Sequence, residues 1–247
     1  MKNKKVVAIV QARMQSTRLP GKVLLPLNNK PALQWIVERI RLAKLVDEVV
    51  VAIPYSEADF PIYSFCKLKG FHCFSYKGKE DDVIGRVLTA AEWAEANIIV
   101  DITGDCPMVD PRHIDCLIKN LIDFENLDYV SNDIVKRSWP DGLDIQVYWT
   151  TTLKKCKEKY NPNQHCGYNI PTSSGFDYYN WPAPQEFHWP ELGLTLDTPK
   201  DYKMLSKLFD KFGHDPGFKV EDVIKFLRAN PDWITNTNVR RKKPEEG

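Results

Sequence analysis

The sequence lacks the features that mark membrane-spanning or secreted proteins. No apolar run is long enough to span a bilayer, and the apolar stretch behind the basic N-terminus covers only residues 6–10, too few for a signal peptide. The six cysteines show neither C-x-x-C pairs nor zinc-ligand spacing, and they are scattered as free thiols are in a reducing compartment. We therefore expect a cytoplasmic protein with no membrane partner.

An excess of one charge is also absent. The formal net charge is +1 and the basic residues are spread along 247 positions, so nothing indicates a nucleic-acid partner. The short basic stretch at residues 240–243 is followed by Pro-Glu-Glu-Gly, and we interpret residues 241–247 as a flexible tail. The remaining length fits one large α/β domain, which we place at residues 1–240.

What the sequence does contain is an alternation of apolar runs and amphipathic segments. This pattern is typical of right-handed βαβ units and a mostly parallel sheet. The predicted strands lie at residues 6–10, 49–53, 71–75, 97–102, 129–131 and 143–148. The predicted helices lie at residues 32–44, 58–69, 80–96, 111–124, 151–159, 199–212 and 220–229. Residues 160–189 are rich in Pro, Asn, Ser and aromatics, which predicts an insertion with a hairpin, serving as a lid or an oligomer contact.

A polar loop with three cations follows the first strand. It runs from Gln11 to Lys22 as Gln-Ala-Arg-Met-Gln-Ser-Thr-Arg-Leu-Pro-Gly-Lys and contains Arg13 and Arg18. Ligands of open parallel sheets bind where the strands end, so these cations lie where a polyanion would bind. The loop is neither a Walker A motif nor a dinucleotide fingerprint, because the required glycines are missing.

Two carboxylates lie in separate segments that both suit a cation. Asp105 follows the predicted strand at residues 97–102, within Thr-Gly-Asp-Cys-Pro. Asp197 comes one residue before the cap of a predicted helix, within Leu-Thr-Leu-Asp-Thr-Pro. Mg²⁺ takes few protein carboxylates and completes its octahedron with water and phosphate oxygens. Each segment also has a simpler interpretation, since Asp is common in turns and at helix starts.

Three further segments carry polar candidates. Arg86 ends Asp-Val-Ile-Gly-Arg, Asp141 and Asp144 lie in Trp-Pro-Asp-Gly-Leu-Asp, and His165 and Tyr168 lie in Asn-Gln-His-Cys-Gly-Tyr. Taken alone, these segments are compatible with a solvated helix arginine, a hairpin turn and a structural loop histidine.

Together these segments resemble the sugar cytidylyltransferase family. The first loop is similar to the signature A-R-x-x-S-T-R-L-P-G-K, and its opening at Gln11 is most similar to the spore-coat polysaccharide biosynthesis branch, whose relatives include CMP-Kdo and CMP-sialic acid synthetases. The segments at Asp105 and Asp197 resemble the family's metal-binding segments. The resemblance extends to about residue 212. It implies a single Rossmann-like α/β domain of the nucleotide-diphospho-sugar transferase (GT-A) type, with a mostly parallel central sheet.

The resemblance also implies an activity and roles for residues. The activity is transfer of CMP from CTP to a sugar hydroxyl with release of pyrophosphate, by a homodimer with Mg²⁺ on Asp105 and Asp197. The catalytic residues it implies are Arg13, Lys22, Asp105 and Asp197. The nucleotide-binding residues it implies are Gln11, Ala12, Arg13, Ser16, Arg18, Lys22, Arg86, Thr103 and Asp105. The acceptor-binding residues it implies are Asp141, Asp144, His165 and Tyr168.

The acceptor that the resemblance implies is a 2-keto-3-deoxy acid sugar. Two departures bear on this point: Gln146 stands where relatives often carry Glu, and Asn163 and Gln164 stand where relatives carry Arg and Glu. A nucleotidyltransferase acting on a sugar phosphate or a polyol phosphate is therefore one alternative. A non-catalytic nucleotide-binding scaffold is a second.

Overall fold

The computed structural model describes residues 4–124, 126–159, 169–172, 175–237 and 239. A seven-stranded sheet lies at its centre, and a two-stranded ribbon lies apart from it. The strands are β1 Val6–Gln11, β2 Pro26–Leu27, β3 Lys30–Pro31, β4 Glu48–Pro54, β5 His72–Tyr76, β6 Ile98–Thr103, β7 Tyr129–Ser131, β8 Gln146–Trp149 and β9 Tyr178–Asn180. The helices are α1 Ala32–Ile40, α2 Phe60–Lys69, α3 Val83–Trp93, α4 Pro111–Asp123, α5 Thr150–Lys159, α6 Asn169–Thr172, α7 Pro199–Phe212 and α8 Val220–Ala229.

The central sheet has the order β5-β4-β1-β6-β8-β7-β9. Strands β5, β4, β1 and β6 are parallel, β8 is antiparallel to both of its neighbours, and β9 is parallel to β7. The predicted α/β fold with a mostly parallel sheet is thus confirmed. The chain runs from β1 outward to β5 and then returns to β6 on the other side of β1. This reversal places a topological switch point, where ligands of such sheets bind, at the carboxyl ends of β1 and β6.

Helices cover both faces of the sheet because alternate strand residues point to opposite faces. Ala8 and Val10 of β1 pack with apolar residues of α1, α2 and α4, whereas Val7 and Ile9 pack with those of α3 and α5. A third cluster joins α7 and α8 to the region around Trp139. No helix in the described ranges is long and apolar enough to cross a membrane. The five cysteines that the structure describes are free thiols.

The ends of several elements differ from prediction for local reasons. Helix α3 begins at Val83, not residue 80, because the Asp82 side chain accepts from the backbone N–H of Gly85 and caps the helix. Strand β8 begins at Gln146, not residue 143, because the Asn132 side chain bonds the backbone at Leu143 and Ile145 in place of a neighbouring strand.

The segment at residues 160–189 also differs from prediction where the structure describes it. Residues Tyr178–Asn180 form β9, an edge strand parallel to β7, and the described part of the segment contains no hairpin. Trp181 stacks on Trp139 at 5.0 Å between ring centroids, and Phe187 is buried in the same cluster. This portion is therefore packed onto the body of the fold.

Candidate active site

A cleft of about 410 Å³ opens at the carboxyl ends of β1 and β6. Every predicted site residue that the structure describes lines it, although these residues come from segments far apart in sequence. They are Gln11, Ala12, Arg13, Ser16, Arg18, Lys22, Arg86, Thr103, Asp105, Asp141, Asp144 and Asp197. His165 and Tyr168 lie outside the described residues, and their role stays a prediction.

The basic loop after β1 is folded back on itself at one side of the cleft. The carbonyl of Met14 accepts hydrogen bonds from the backbone N–H groups of Ser16 and Gly21, at 3.0 and 2.9 Å. Gly21 has φ +69°, a conformation that glycine adopts without strain. Met14 also donates its own N–H to Oδ1 of the buried Asp59, at 2.7 Å. Asp59 was missed from the sequence because its partner lies 45 positions away.

Lys22 joins the two predicted metal-binding carboxylates. Its Nζ atom donates to Oδ2 of Asp105 at 2.6 Å and to Oδ1 of Asp197 at 2.7 Å. Arg18 pairs with the other oxygen of Asp197. The loop after β1, the loop after β6 and the segment before α7 therefore meet at a single cation.

The charges of this cluster stabilise one another. Burial acts to raise the pKa of Asp105, but the charge of Lys22 and its hydrogen bond outweigh burial and lower that pKa to about 2. Burial acts to lower the pKa of Lys22, but Asp105 and Asp197 together raise it above its ordinary value. The Asp105 carboxylate is thus held ionised and the Lys22 amine is held charged.

Two glycines allow these segments to approach. A Cβ on Gly104 would lie 2.7 Å from the carbonyl oxygen of Gln11, to which the Gly104 N–H donates. Gly142 has φ +100°, and a Cβ there would lie 2.3 Å from the backbone nitrogen of Thr195. Asp141 can therefore form a β-bridge with Gly193. The segment that carries Asp141 thus lies directly against the segment that leads to Asp197.

The two carboxylates fit a magnesium ion. Asp105 and Asp197 direct one oxygen each toward a single point, which Lys22 Nζ fills here. Mg²⁺ bound beside phosphates uses one or two carboxylates, so the donor set matches even though the described residues contain no group of three or more metal-binding side chains. The same point cannot hold Lys22 and a metal together, so Lys22 must move when a metal binds.

The floor of the cleft carries a hydrogen-bonded set that the sequence did not indicate. Asp101 of β6 accepts from Gln11 Nε2 at 2.6 Å and from the hydroxyl of Tyr148 at 2.8 Å. Gln11 is therefore fixed in orientation at the nucleotide side. Above it, the nearly buried Arg86 donates to the carbonyl of Glu80 at 2.9 Å, which holds its guanidinium at the cleft wall.

The part of the cleft at Asp141 and Asp144, the predicted acceptor-binding residues, contains several carboxylates around one guanidinium. Arg137 pairs with both oxygens of Asp144, at 2.5 and 2.9 Å, and lies 3.4 Å from Asp141. Burial acts to lower the pKa of Arg137, but Asp144 outweighs it and the pKa is raised. Asp133 lies beside this pair and accepts from Gln146 Nε2 at 3.2 Å.

Arg137 and Asp133 were missed from the sequence. A signal for Asp133 was present, because it follows β7, whose position was predicted, and β7 runs in the same direction as β6. Its carboxyl end therefore lies at the same edge of the sheet as Asp105. Gln146, which stands where relatives often carry Glu, donates a hydrogen bond to the Asp133 carboxylate.

Comparisons with known proteins agree with this geometry. Residues 7–211 match a family model described as cytidylyltransferase. The spore coat polysaccharide biosynthesis protein SpsF of Bacillus subtilis (strain 168) is 30% identical over 93% of this chain and 97% of that protein. A 3-deoxy-manno-octulosonate cytidylyltransferase of Colwellia psychrerythraea is 33% identical over 64% of this chain and 51% of that protein. The solved structure of a cytidylyltransferase from Leptospira borgpetersenii superposes with a TM-score of 0.87 at 29% identity, covering 96% of this chain and 100% of that one. The chain therefore belongs to the cytidylyltransferase family and is a CTP-dependent nucleotidyltransferase.

Proposed function

We propose that the protein transfers CMP from CTP to the anomeric hydroxyl of a 2-keto-3-deoxy acid sugar and releases pyrophosphate. The observation that carries this proposal is the convergence of Lys22, Asp105 and Asp197 at the switch point of a cleft that Asp141, Asp144 and Arg137 also line. The likeness to a 3-deoxy-manno-octulosonate cytidylyltransferase supports an acid sugar as acceptor. Arg137 supplies a cation for the acceptor's carboxylate on that side of the cleft.

The protein's contribution to such a reaction is mainly positioning and charge neutralisation. In the proposed complex, Arg13, Arg18 and Lys22 hold the triphosphate, because guanidinium and ammonium groups pair well with phosphate oxygens. Asp141 and Asp144 accept hydrogen bonds from acceptor hydroxyls.

Mg²⁺ is the proposed cofactor, with Asp105 and Asp197 as its protein ligands. When bound, it would neutralise charge on the α-phosphate and lower the pKa of the attacking hydroxyl. The cations assigned to the triphosphate already lie at this point, since Lys22 contacts both carboxylates and Arg18 contacts Asp197.

The test is a pyrophosphate-release screen with Mg²⁺. Four nucleoside triphosphates are each combined with 3-deoxy-manno-octulosonate, other 2-keto-3-deoxy sugar acids, sugar phosphates and polyol phosphates. We expect release with CTP and a sugar acid, and mass spectrometry should detect the CMP-sugar. Release with a sugar phosphate or polyol phosphate alone would overturn the proposed acceptor, and no release with any acceptor would overturn the activity.

The homodimer and the acceptor-side role of residues 160–189 stay predictions. Light scattering after size-exclusion chromatography checks the first. Substituting His165 by Ala checks the second: the acceptor KM should rise while the dissociation constant of CTP stays unchanged, because only acceptor contacts would be lost.

A further inference from the structure

Asp133 is a cleft carboxylate without an assigned role. It lies two residues beyond β7, at the sheet edge where Asp105 follows β6, and it lines the same cleft. Its residue is only 6% exposed. The polar side chains beside it belong to one row across the sheet, since Asp101 pairs with Gln146 in register and Gln146 pairs with Ser131.

The hydrogen bonding of Asp133 is incomplete. Oδ2 accepts a long bond of 3.2 Å from Gln146, and Oδ1 is buried with no hydrogen-bond partner among the residues that the structure describes. A buried acceptor without a donor is costly, and in native proteins such atoms occur where a ligand or a proton completes the set.

Four of the other carboxylates that line the cleft already have hydrogen-bond donors. Asp105 and Asp197 share Lys22, and Asp144 is held by both terminal nitrogens of Arg137. Asp101 accepts from Gln11 and Tyr148.

Two cleft carboxylates remain besides Asp133, and their surroundings differ from its own. Asp141 lies 3.4 Å from Arg137 and is tied by its backbone to residues 192–194, and Asp81 is exposed to solvent. Asp133 is thus a buried cleft carboxylate with an oxygen atom, Oδ1, that can accept a proton without losing a hydrogen bond.

Its proton affinity is suited to that task. Burial raises the pKa of Asp133 to about 7, the charge of Asp144 adds to the rise, and Arg137 opposes it. Tyr129 of β7 is the other titratable group close to Asp133, and the Asp133 charge in turn raises the pKa of that phenol. A base with a pKa near the working pH is the most effective in proton transfer.

We propose that Asp133 is the base that takes the proton from the acceptor hydroxyl as its oxygen attacks CTP. In this step the bond between the acceptor oxygen and the α-phosphorus forms, and the bond from the α-phosphorus to the bridging oxygen breaks. Pyrophosphate leaves with that electron pair, the proton moves to the Asp133 carboxylate, and water later removes it. The inference rests on the proposed function, because it needs a sugar hydroxyl as attacking group.

The test compares wild type with Asp133→Asn, which keeps the shape and removes the base. We expect kcat for pyrophosphate release to fall by about 10²- to 10⁴-fold, the range that a general base contributes. The dissociation constant of CTP should stay within twofold, on the order of 0.4 kcal/mol. Asp123→Asn, an exposed change at the end of α4, is the matched control and should keep wild-type rates.

The pH profile separates this role from a structural one. Wild-type kcat should rise with pH through about 7 as Asp133 loses its proton, and the profile of Asp133→Asn should lack this rise. Asp144→Asn should move the rise to lower pH, because it removes a negative charge that favours the protonated form. Arg137→Met should move it to higher pH. These opposite shifts in the pH at which kcat rises can be measured on the activity that each variant retains.

A folding control completes the test. The Asp133 pKa is higher in the folded protein than its ordinary value, so its contribution to stability falls as pH rises from about 4 through about 7. Asp133→Asn should therefore melt no lower than wild type at pH 8. A wild type that releases no pyrophosphate with any acceptor overturns the proposed function. An active wild type whose Asp133→Asn variant keeps the rate and the rise near pH 7 overturns this inference alone.

Discussion

At the scale of single residues, the cations of the site differ in how many carboxylates they contact. Lys22 contacts two carboxylates from segments that are more than 80 positions away, whereas Arg13 is 55% exposed in its side chain and lies 3.8 Å from Glu80. The two cations therefore differ in what their removal does to the resting protein, although both are assigned to the triphosphate.

Replacing either cation by alanine should impair turnover of CTP. A charge-assisted contact to phosphate contributes about 1.5–3 kcal/mol, so kcat/KM for CTP should fall roughly tenfold or more in Arg13→Ala and Lys22→Ala. Steady-state kinetics measure the loss, and thermal melting distinguishes the two variants. Arg13→Ala should melt as wild type does, whereas Lys22→Ala should melt lower without Mg²⁺, because its two carboxylates lose their counterion. Wild-type kinetics in both variants would contradict the triphosphate assignment.

Asp105 and Asp197 should act as one unit. Asp→Asn keeps the shape and removes the charge that attracts a hard dication, so each single variant should lose most activity and need more Mg²⁺. The double variant should be much less impaired than the product of the two single effects, because groups that act together are non-additive. The measurement is a Mg²⁺ titration of pyrophosphate release. Activity that persists in EDTA, or a double variant whose loss of activity equals the product of the two single losses, would show that the two carboxylates do not share a metal.

At the scale of elements, the geometry of the cleft depends on close backbone approaches rather than on regular structure. Gly142 lies against Thr195 where no side chain fits, and the carbonyl of Asp105 accepts from the backbone N–H of Leu196 at 2.8 Å. The segment before α7 therefore contacts both the segment that carries Asp141 and the loop after β6.

Gly142→Ala should damage acceptor binding beyond its effect on backbone strain. The added Cβ would meet backbone atoms at 2.3 and 2.4 Å, so the segment that carries Asp141 and Asp144 must shift. Gly70→Ala, at the end of α2, is the control, because Gly70 also has a positive φ, +65°, but a Cβ there meets nothing within 4 Å. We expect a raised acceptor KM only in Gly142→Ala, by kinetics at saturating CTP. Equal effects of the two changes would assign the cost to backbone strain.

The same scale shows what the sequence could predict. The alternation of apolar segments located six of the seven strands of the central sheet, because burial on two faces leaves a clear pattern, but it did not locate the edge strand β9. It could not predict that β8 starts at Gln146, since the cause is the Asn132 side chain. The resemblance to family motifs identified the site residues that belong to those motifs. It did not identify Asp59 and Asp133, whose hydrogen-bond partners are distant in sequence and meet them only in the folded chain. The buried Asp201 is a further case, because it completes a capping box with Thr198 and accepts a hydrogen bond from the distant Asn236.

At the scale of the whole molecule, a hydrogen bond joins the C-terminal helix α8 to α4, which packs on the central sheet. His113 of α4 lies 2.9 Å from Glu221 of α8, and its ring packs 4.3 Å from that of Trp139. Burial acts to raise the pKa of Glu221, but the hydrogen bond with His113, a backbone hydrogen bond and nearby positive charge outweigh it and lower that pKa to about 2.

This pair should make the free energy of unfolding depend on pH in the acid range. Because the folded pKa of Glu221 is depressed, its stabilising contribution is present above about 4.5 and is lost as pH falls toward about 2. Glu221→Gln should lower the free energy of unfolding at pH 7 by up to about 3 kcal/mol, with the difference from wild type shrinking below pH 4.5. Chemical denaturation at several pH values measures this, and the exposed Glu186→Gln serves as control. A difference that does not change with pH would assign the effect to packing.

The bridge that Lys22 makes between Asp105 and Asp197 has a thermodynamic consequence. A lysine and a dication compete for the same oxygens, so the ligand-free protein should bind Mg²⁺ weakly. Phosphates that draw Lys22 away free those oxygens, and by linkage the metal must then strengthen nucleotide binding by the same factor. The resting site thus carries its own counterion, and we expect Mg²⁺ and the nucleotide to bind with positive cooperativity.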